Sequence, residues 1–180
     1  GPVAVVKPLL EAGADTMKVV NDGCTALYLA AQRGHTTVVK ALLEAGAEDN
    51  ASYEGYTGMH AAAERGYTAV VKVFLGSRVD VDKASDDGET ALLAATRSGS
   101  EMVVKVLLEE GADANKAAYN GSTPCQMAVF GGHLALVKAL IGSGADINKT
   151  DSDGNTVLMM AVLCDHLVVV EALLEAGADA

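Results

Sequence analysis

At 180 residues, half of them hydrophobic, the chain carries enough apolar surface to fold as a single unit with a substantial core, which excludes intrinsic disorder. Thirteen Lys and Arg against twenty-four Asp and Glu give a net charge of -11, which repels a nucleic-acid backbone and an anionic membrane surface alike. Cys24, Cys125 and Cys164 are widely spaced and form no CxxC pair, so neither a disulfide framework nor a zinc site is indicated, and reduced thiols in the cytoplasm or nucleus are expected.

Only 4% of the residues are aromatic and none is Trp, so Ala, Val and Leu must do the packing, which suits closely packed helices. No apolar run approaches the ~18 residues that span a bilayer, and direct membrane insertion is not expected.

The first predicted element lies in residues 3–20 and supplies only a helix and its exit. Gly1-Pro2 before it reads as a protease-cleavage scar. Val5 and Leu9, four apart, form one apolar stripe, and Gly13-Ala14-Asp15 marks the exit; Pro8 is tolerable only if this helix starts a few residues earlier.

A full unit follows at about 21–52. Gly23-Cys24-Thr25 opens it, and the Thr25 hydroxyl can cap the orphan amides of a short helix through Ala30-Ala31. Gly34 marks a reversal, Val39 and Leu43 give a second helix its buried stripe, and Gly46-Ala47-Glu48 ends it in the left-handed conformation that glycine tolerates.

The same order of signals returns at about 53–85, 86–118, 119–151 and 152–180. The Gly-x-Thr threonines Thr25, Thr57, Thr90, Thr123 and Thr156 stand 32, 33, 33 and 33 residues apart, so the period is 33 with one deletion. Stripes recur at Val71/Leu75, Val104/Leu108, Val137/Ile141 and Val170/Leu174, and exits at Gly111, Gly144 and Gly177. Lys40, Lys72, Lys105 and Lys138 lie beside the buried valines and are expected to face outward as solubilising residues.

Thirty-three residues carrying Gly-x-Thr-x-Leu, Ala-Ala-x-x-Gly-His, Val-Val-x-x-Leu-Leu and Gly-Ala-Asp resemble the ankyrin repeat, and Gly23 to Glu48 matches it almost throughout. The resemblance implies an all-α ankyrin-repeat solenoid of stacked helix-turn-helix units with projecting hairpin-like finger loops: a leading partial repeat at 1–20 and five repeats at 21–180, all one domain. It implies a concave face of fingers and first helices that binds protein. It also implies structural roles for His35, His133 and His166 beside the turn and for His60 beside the capping threonine.

Departures from the pattern are specific. Arg78 stands in place of an exit glycine, so either the left-handed backbone is kept at about 1 kcal/mol or Gly76 lets the helix end early. Asp165 replaces a turn glycine, and Asp tolerates that backbone better than most residues. The finger from Gly46 to Thr57 is one residue short and its tip should be tighter, making the third unit the least regular. Both ends cut a repeat without a polar cap, which suggests an excised piece of a longer array, monomeric in isolation but open to end-to-end contacts.

Nothing in the sequence matches a nucleophile elbow, a zinc-protease helix, a phosphate loop or a dinucleotide fingerprint. No enzymatic activity, cofactor or metal is expected, and Asp86, Asp87 and Glu89 read as a solvated finger rim. Leu140 with Asp146-Ile147-Asn148, and in part Leu107 with Asp113-Ala114-Asn115, resembles the pattern at which ankyrin asparagines are hydroxylated in animal cells. Such asparagines are expected to bond the loop backbone.

By the resemblance, the columns free to vary flank the finger glycine and precede the inter-helix turn. Of seven aromatic residues four fall there, Tyr53, Tyr56, Tyr119 and Phe130, together with Leu163. Aromatic and Arg side chains dominate interface hot spots, so a protein or peptide partner on this face is expected; braces between adjacent fingers are the other reading of the tyrosines. Arg33, Arg65 and Arg97 read as a ladder on the first helices, facing Asp22, Glu54 and Asp87, for internal pairing or for a partner's charges. An interaction module is the leading expectation, against an elastic spacer or a regulatory segment of an enzyme or channel.

Overall fold

A threonine hydroxyl starts every unit. In the computed structural model, which describes residues 8–9, 11–20, 23–49 and 54–179, all five motif threonines are extended and accept a backbone N–H from three residues on. Each opens a seven-residue helix: α1 (Ala26–Gln32), α3 (Gly58–Glu64), α5 (Ala91–Arg97), α7 (Pro124–Phe130) and α9 (Val157–Leu163). A turn then leads to a nine-residue helix: α2 (Thr36–Glu44), α4 (Thr68–Gly76), α6 (Glu101–Glu109), α8 (Leu134–Gly142) and α10 (Leu167–Glu175). Pro8, Leu9 and Glu11 are helical as well. Among the described residues there is no strand, and no helix is long and apolar enough to cross a membrane.

The turn is tight because its glycine has a left-handed backbone and faces a neighbour. At Gly99 (φ 72°) an added Cβ would lie 3.0 Å from the His133 ring, and at Gly132 (φ 67°) 2.8 Å from the His166 ring. Tyr67 covers Gly34 and Ser100 covers Gly66 in the same way. His133 and His166 are therefore the roof over the preceding repeat's reversal.

First helices stack on first helices, second on second, and each unit closes as a hairpin. Ala30, Ala62, Ala95, Ala128 and Ala161 occupy one column with almost no exposure, so the first helices approach closely. Val39, Val71, Val104 and Val137 are fully buried, as the stripes predict, and all four column lysines are exposed. The last unit leaves Met159, Val162 and Leu174 in solvent at positions buried or half-buried in the preceding repeat. Val5 lies outside the described residues.

Loops join repeat to repeat by polar ladders, of which the lysine one had no counterpart in the sequence expectations. Lys83, Lys116 and Lys149 each donate to a carbonyl of the preceding loop, at Asp49, Asp82 and Asn115 (2.8, 2.7 and 3.2 Å). The Asn115 and Asn148 side chains accept from the backbone N–H of Asp146 (2.7 Å) and Asp179 (3.0 Å), which is the loop role expected of them. Fingers are tied directly as well, Asp86 N–H to the Glu54 carbonyl and Tyr119 N–H to the Asp87 carbonyl, both 2.9 Å.

Arg78 keeps the left-handed backbone at φ 59°, and Gly76 does not shorten α4, which has the same nine residues as its counterparts. Asp165 does likewise at φ 57°. The short finger's residues 50–53 lie outside the description, but on its far side Glu54 takes φ 49°, a left-handed backbone without glycine. On its near side Asp49 is buried and accepts from Gly58 N–H (2.7 Å) and Met59 N–H (3.2 Å), capping α3 from the preceding loop. Burial holds its carboxyl above the usual range, against those hydrogen bonds and the Lys83 charge.

His60 is the one fully buried histidine. Its Nε2 donates to the Glu89 carbonyl (2.9 Å), while Nδ1 accepts from Thr57 N–H (3.2 Å), a capping box that fixes the neutral tautomer. Gln126 fills the same position one repeat beyond Leu93 and makes the same bond to Thr123 N–H (2.8 Å).

Replacing Arg78 with Gly should raise the free energy of unfolding by about 0.5–1 kcal/mol, read from urea midpoints, whereas Arg78→Ala should not, because Ala keeps the Cβ. Burial lowers the His60 pKa from 6.5 to about 4, so below pH 6.5 the unfolded chain binds the proton that the folded chain refuses. Stability from this group is complete above pH 6.5 and declines as pH falls toward 4. Between pH 7 and 5 the native chain should lose about 2 kcal/mol more than His60→Gln, which keeps the cap as Gln126 does.

Candidate functional site

Positions four and seven of each first helix lie on one face, three residues apart and nearly one turn. Along the stack they read Leu29/Gln32, Ala61/Glu64, Ala94/Arg97, Met127/Phe130 and Met160/Leu163. The fingers supply Tyr56, Glu89 and Ser122 to the opposite wall. Between the walls lie three depressions that share lining residues.

The first, about 370 Å³, is lined by Tyr28, Glu54, Tyr56, Asp86, Asp87 and Glu89. The second, about 510 Å³, is lined by Arg97, Ser122, Gln126, Met127, Phe130, Gly131 and Met160. A third of about 280 Å³ shares Asp87 and Glu89 with the first and Arg97 and Met127 with the second, so the three make one trough, acidic at one end and apolar at the other.

Arg97 stands at the junction. Its guanidinium lies 3.0 Å from a Glu89 carboxylate oxygen, 3.4 Å from Glu64 and 3.4 Å from the Tyr56 hydroxyl. Burial raises the Glu89 carboxyl pKa, more than Arg97 lowers it, and only 11% of that side chain is exposed. Burial also raises the Tyr56 phenol, with the charges of Glu89 and Glu64 adding to the effect. Asp87 goes the other way: a hydrogen bond from the Ser85 hydroxyl lowers its pKa.

The predicted arginine ladder does not form. Arg33 and Arg65 are C-cap residues just past α1 and α3, while Arg97 is the last residue inside α5. The arginines are spaced by 32, and only the first interval contains the deletion, so Arg97 falls into the column of Gln32, Glu64, Phe130 and Leu163. Its partners are Glu64 and Glu89, not Asp87. Among the described residues no ion pair joins Arg65 to Glu54, and Asp22, expected opposite Arg33, lies outside them. The solvated rim is likewise corrected at one residue: Asp86 and Asp87 are exposed, but Glu89 is buried.

The aromatic candidates separate by environment. Tyr53 lies outside the described residues. Tyr56 is half-buried, its ring 4.9 Å from that of His60 in its own repeat and its hydroxyl accepting from Arg97 of the next. Tyr119 is 78% exposed, with one ring edge over Gly88, where a Cβ would meet it at 2.7 Å. Phe130 and Leu163 stand out in solvent at 69% and 79% exposure, at the same position of adjacent repeats.

Sequence reasoning missed the floor beneath them, Met127 and Met160. The available signal was a change within one column, from Ala61 and Ala94 to two methionines. Among the described residues no group of three or more His, Cys, Asp or Glu side chains is placed to hold a metal ion.

Comparison with curated proteins returns no match. A family model described as ankyrin repeats in three copies matches three times, over residues 1–85, 59–151 and 114–180, and together these matches take in the whole chain. With the capped helix pairs, turn glycines and fingers described above, they make this chain a member of the ankyrin-repeat family.

Proposed function

We propose that this chain is a non-catalytic binding module that holds a protein or peptide in the trough between its fingers and first helices. Ankyrin repeats are generally protein–protein interaction modules, and the family is generally non-catalytic. The observation that carries the reading is the pair Phe130 and Leu163, large apolar side chains on a wet face where the fold has no use for them. Burying such a side chain is worth about 1.5–3 kcal/mol, which these two leave unspent in the isolated chain. Met127 and Met160 beneath them add a floor that adapts in shape to what it contacts.

The tyrosines differ from this pair in their contacts. Tyr56 has a structural task against His60 and Arg97, so its loss would disturb the scaffold and the surface together. Phe130 and Leu163 have no such task. An intracellular setting with reduced cysteines fits this reading, and the acidic surface disfavours nucleic acid as the partner.

Photo-crosslinking in the cell that expresses the chain tests the face. A benzophenone side chain at 130 should give a protein adduct that excess unmodified chain suppresses, and one at 72, an exposed lysine of α4, should not. Adducts arising equally from both positions would overturn the proposal. Phe130→Ala with Leu163→Ala should shift the unfolding free energy by less than about 0.5 kcal/mol while abolishing the adduct partner's binding.

A further inference from the structure

The trough is not uniform, and its two ends call for different chemistry in one ligand. The apolar groove lies over Met127, Phe130 and Met160, and it is continuous with a hollow whose walls carry the carboxylates Glu54, Asp86, Asp87 and Glu89. Among the described residues Arg97 is the only cation lining any of the three depressions, and Glu64 and Glu89 already share it. Glu54, Asp86 and Asp87 are exposed and have no ion pair among the described residues. A ligand that fills the apolar groove therefore meets unneutralised negative charge as soon as it extends toward the preceding repeats.

Resting on the binding role proposed above, we propose that the partner enters the trough as an extended segment carrying two anchors. A Leu, Ile, Met or Phe side chain fills the groove beside Phe130, and a Lys or Arg side chain lies in the hollow between Glu54 and Asp86. The hollow is lined from the first three full repeats, its carboxylates Glu54 and Asp86 standing on the second and third, and Phe130 stands on the fourth, which separates the charged pair from the groove by one and a half to two repeats. At about 10 Å per packed helix that is roughly 15–20 Å. An extended chain advancing ~3.3 Å per residue covers it in about five or six residues. A helix, at ~1.5 Å per residue, would need ten or more.

Selection of a displayed library of random twelve-residue peptides against the folded chain tests this. Enriched peptides should carry a Lys or Arg five or six residues from a large apolar residue. One such peptide, synthesised, should bind at least tenfold more weakly to Glu54→Lys/Asp86→Lys and to Phe130→Asp/Leu163→Asp. Changing its basic residue to Glu should restore binding to the first variant only. Its affinity for the native chain should fall between about 50 and 500 mM salt, a readout that does not depend on either variant folding.

Peptides without the cation, or affinity indifferent both to salt and to Glu54→Lys/Asp86→Lys but lost in Phe130→Asp/Leu163→Asp, would overturn the two-anchor inference and leave the binding face standing. Indifference to both variants, or a library that yields no enriched peptide, would overturn both.

Discussion

Everything in this molecule depends on how closely one first helix can approach the next, and an alanine sets that distance in every repeat. Ala30, Ala62, Ala95, Ala128 and Ala161 are almost wholly buried at this contact. A single helix hairpin of seven and nine residues cannot bury its apolar faces alone, so stability comes from stacking, as a sum of nearest-neighbour contacts. Because the approach is close, loops and fingers of successive repeats also come within hydrogen-bond reach. The lysine and asparagine ladders between loops, and the finger-to-finger backbone bonds, follow from it.

The buried polar residues show how the same stack accommodates chemistry that a core usually rejects. His60 and Gln126 sit at the third position of their helices, facing the next repeat, where Leu93 sits in the unit between. Both polar side chains close a capping box backward and reach a backbone carbonyl of the next finger forward: Glu89 for His60, Lys149 and Asn155 for Gln126. Each is thus satisfied in two directions, as buried polar groups must be. Among the described residues no buried side-chain nitrogen or oxygen lacks a hydrogen-bond partner.

The fold was legible in the sequence because its signals are local and repeated. A threonine accepts the amide three residues ahead of it and a left-handed glycine reverses the chain, and both signals lie within a few residues of the feature they set. At Arg78 the columns left two outcomes open, a kept left-handed backbone or an early helix end at Gly76, and the backbone at Arg78, like that at Asp165, keeps the geometry of the column it interrupts. What the sequence hid depends on phase and depth. One deleted residue near the short finger made Arg33, Arg65 and Arg97 look like a column, although the last lies one position out of step. Depth was hidden as well, since Asp86, Asp87 and Glu89 read alike as finger carboxylates, yet only Glu89 is folded under the neighbouring side chains. Asp49 could not be read as a cap for α3 because it acts across the shortened finger, nine residues before the amide it holds.

The separation between what the stack requires and what it leaves free also explains where chemistry changes along the trough. The seventh position of the first helices reads Gln32, Glu64, Arg97, Phe130 and Leu163, and the floor beside it goes from Leu29 through two alanines to two methionines. None of the residues in the seventh column belongs to the buried core, so nearest-neighbour stability is nearly indifferent to them. A column under packing constraint would repeat, as the valines and alanines do. This one runs from polar to apolar in chain order, and its middle member, Arg97, is engaged by carboxylates from both walls. Arg97 therefore reaches the edge of the groove beside Phe130 with its charge already shared by Glu64 and Glu89, while Glu54, Asp86 and Asp87 leave the hollow beyond Glu89 negative. The polarity of the trough is thus a consequence of one ion-pair cluster placed where two kinds of repeat surface meet.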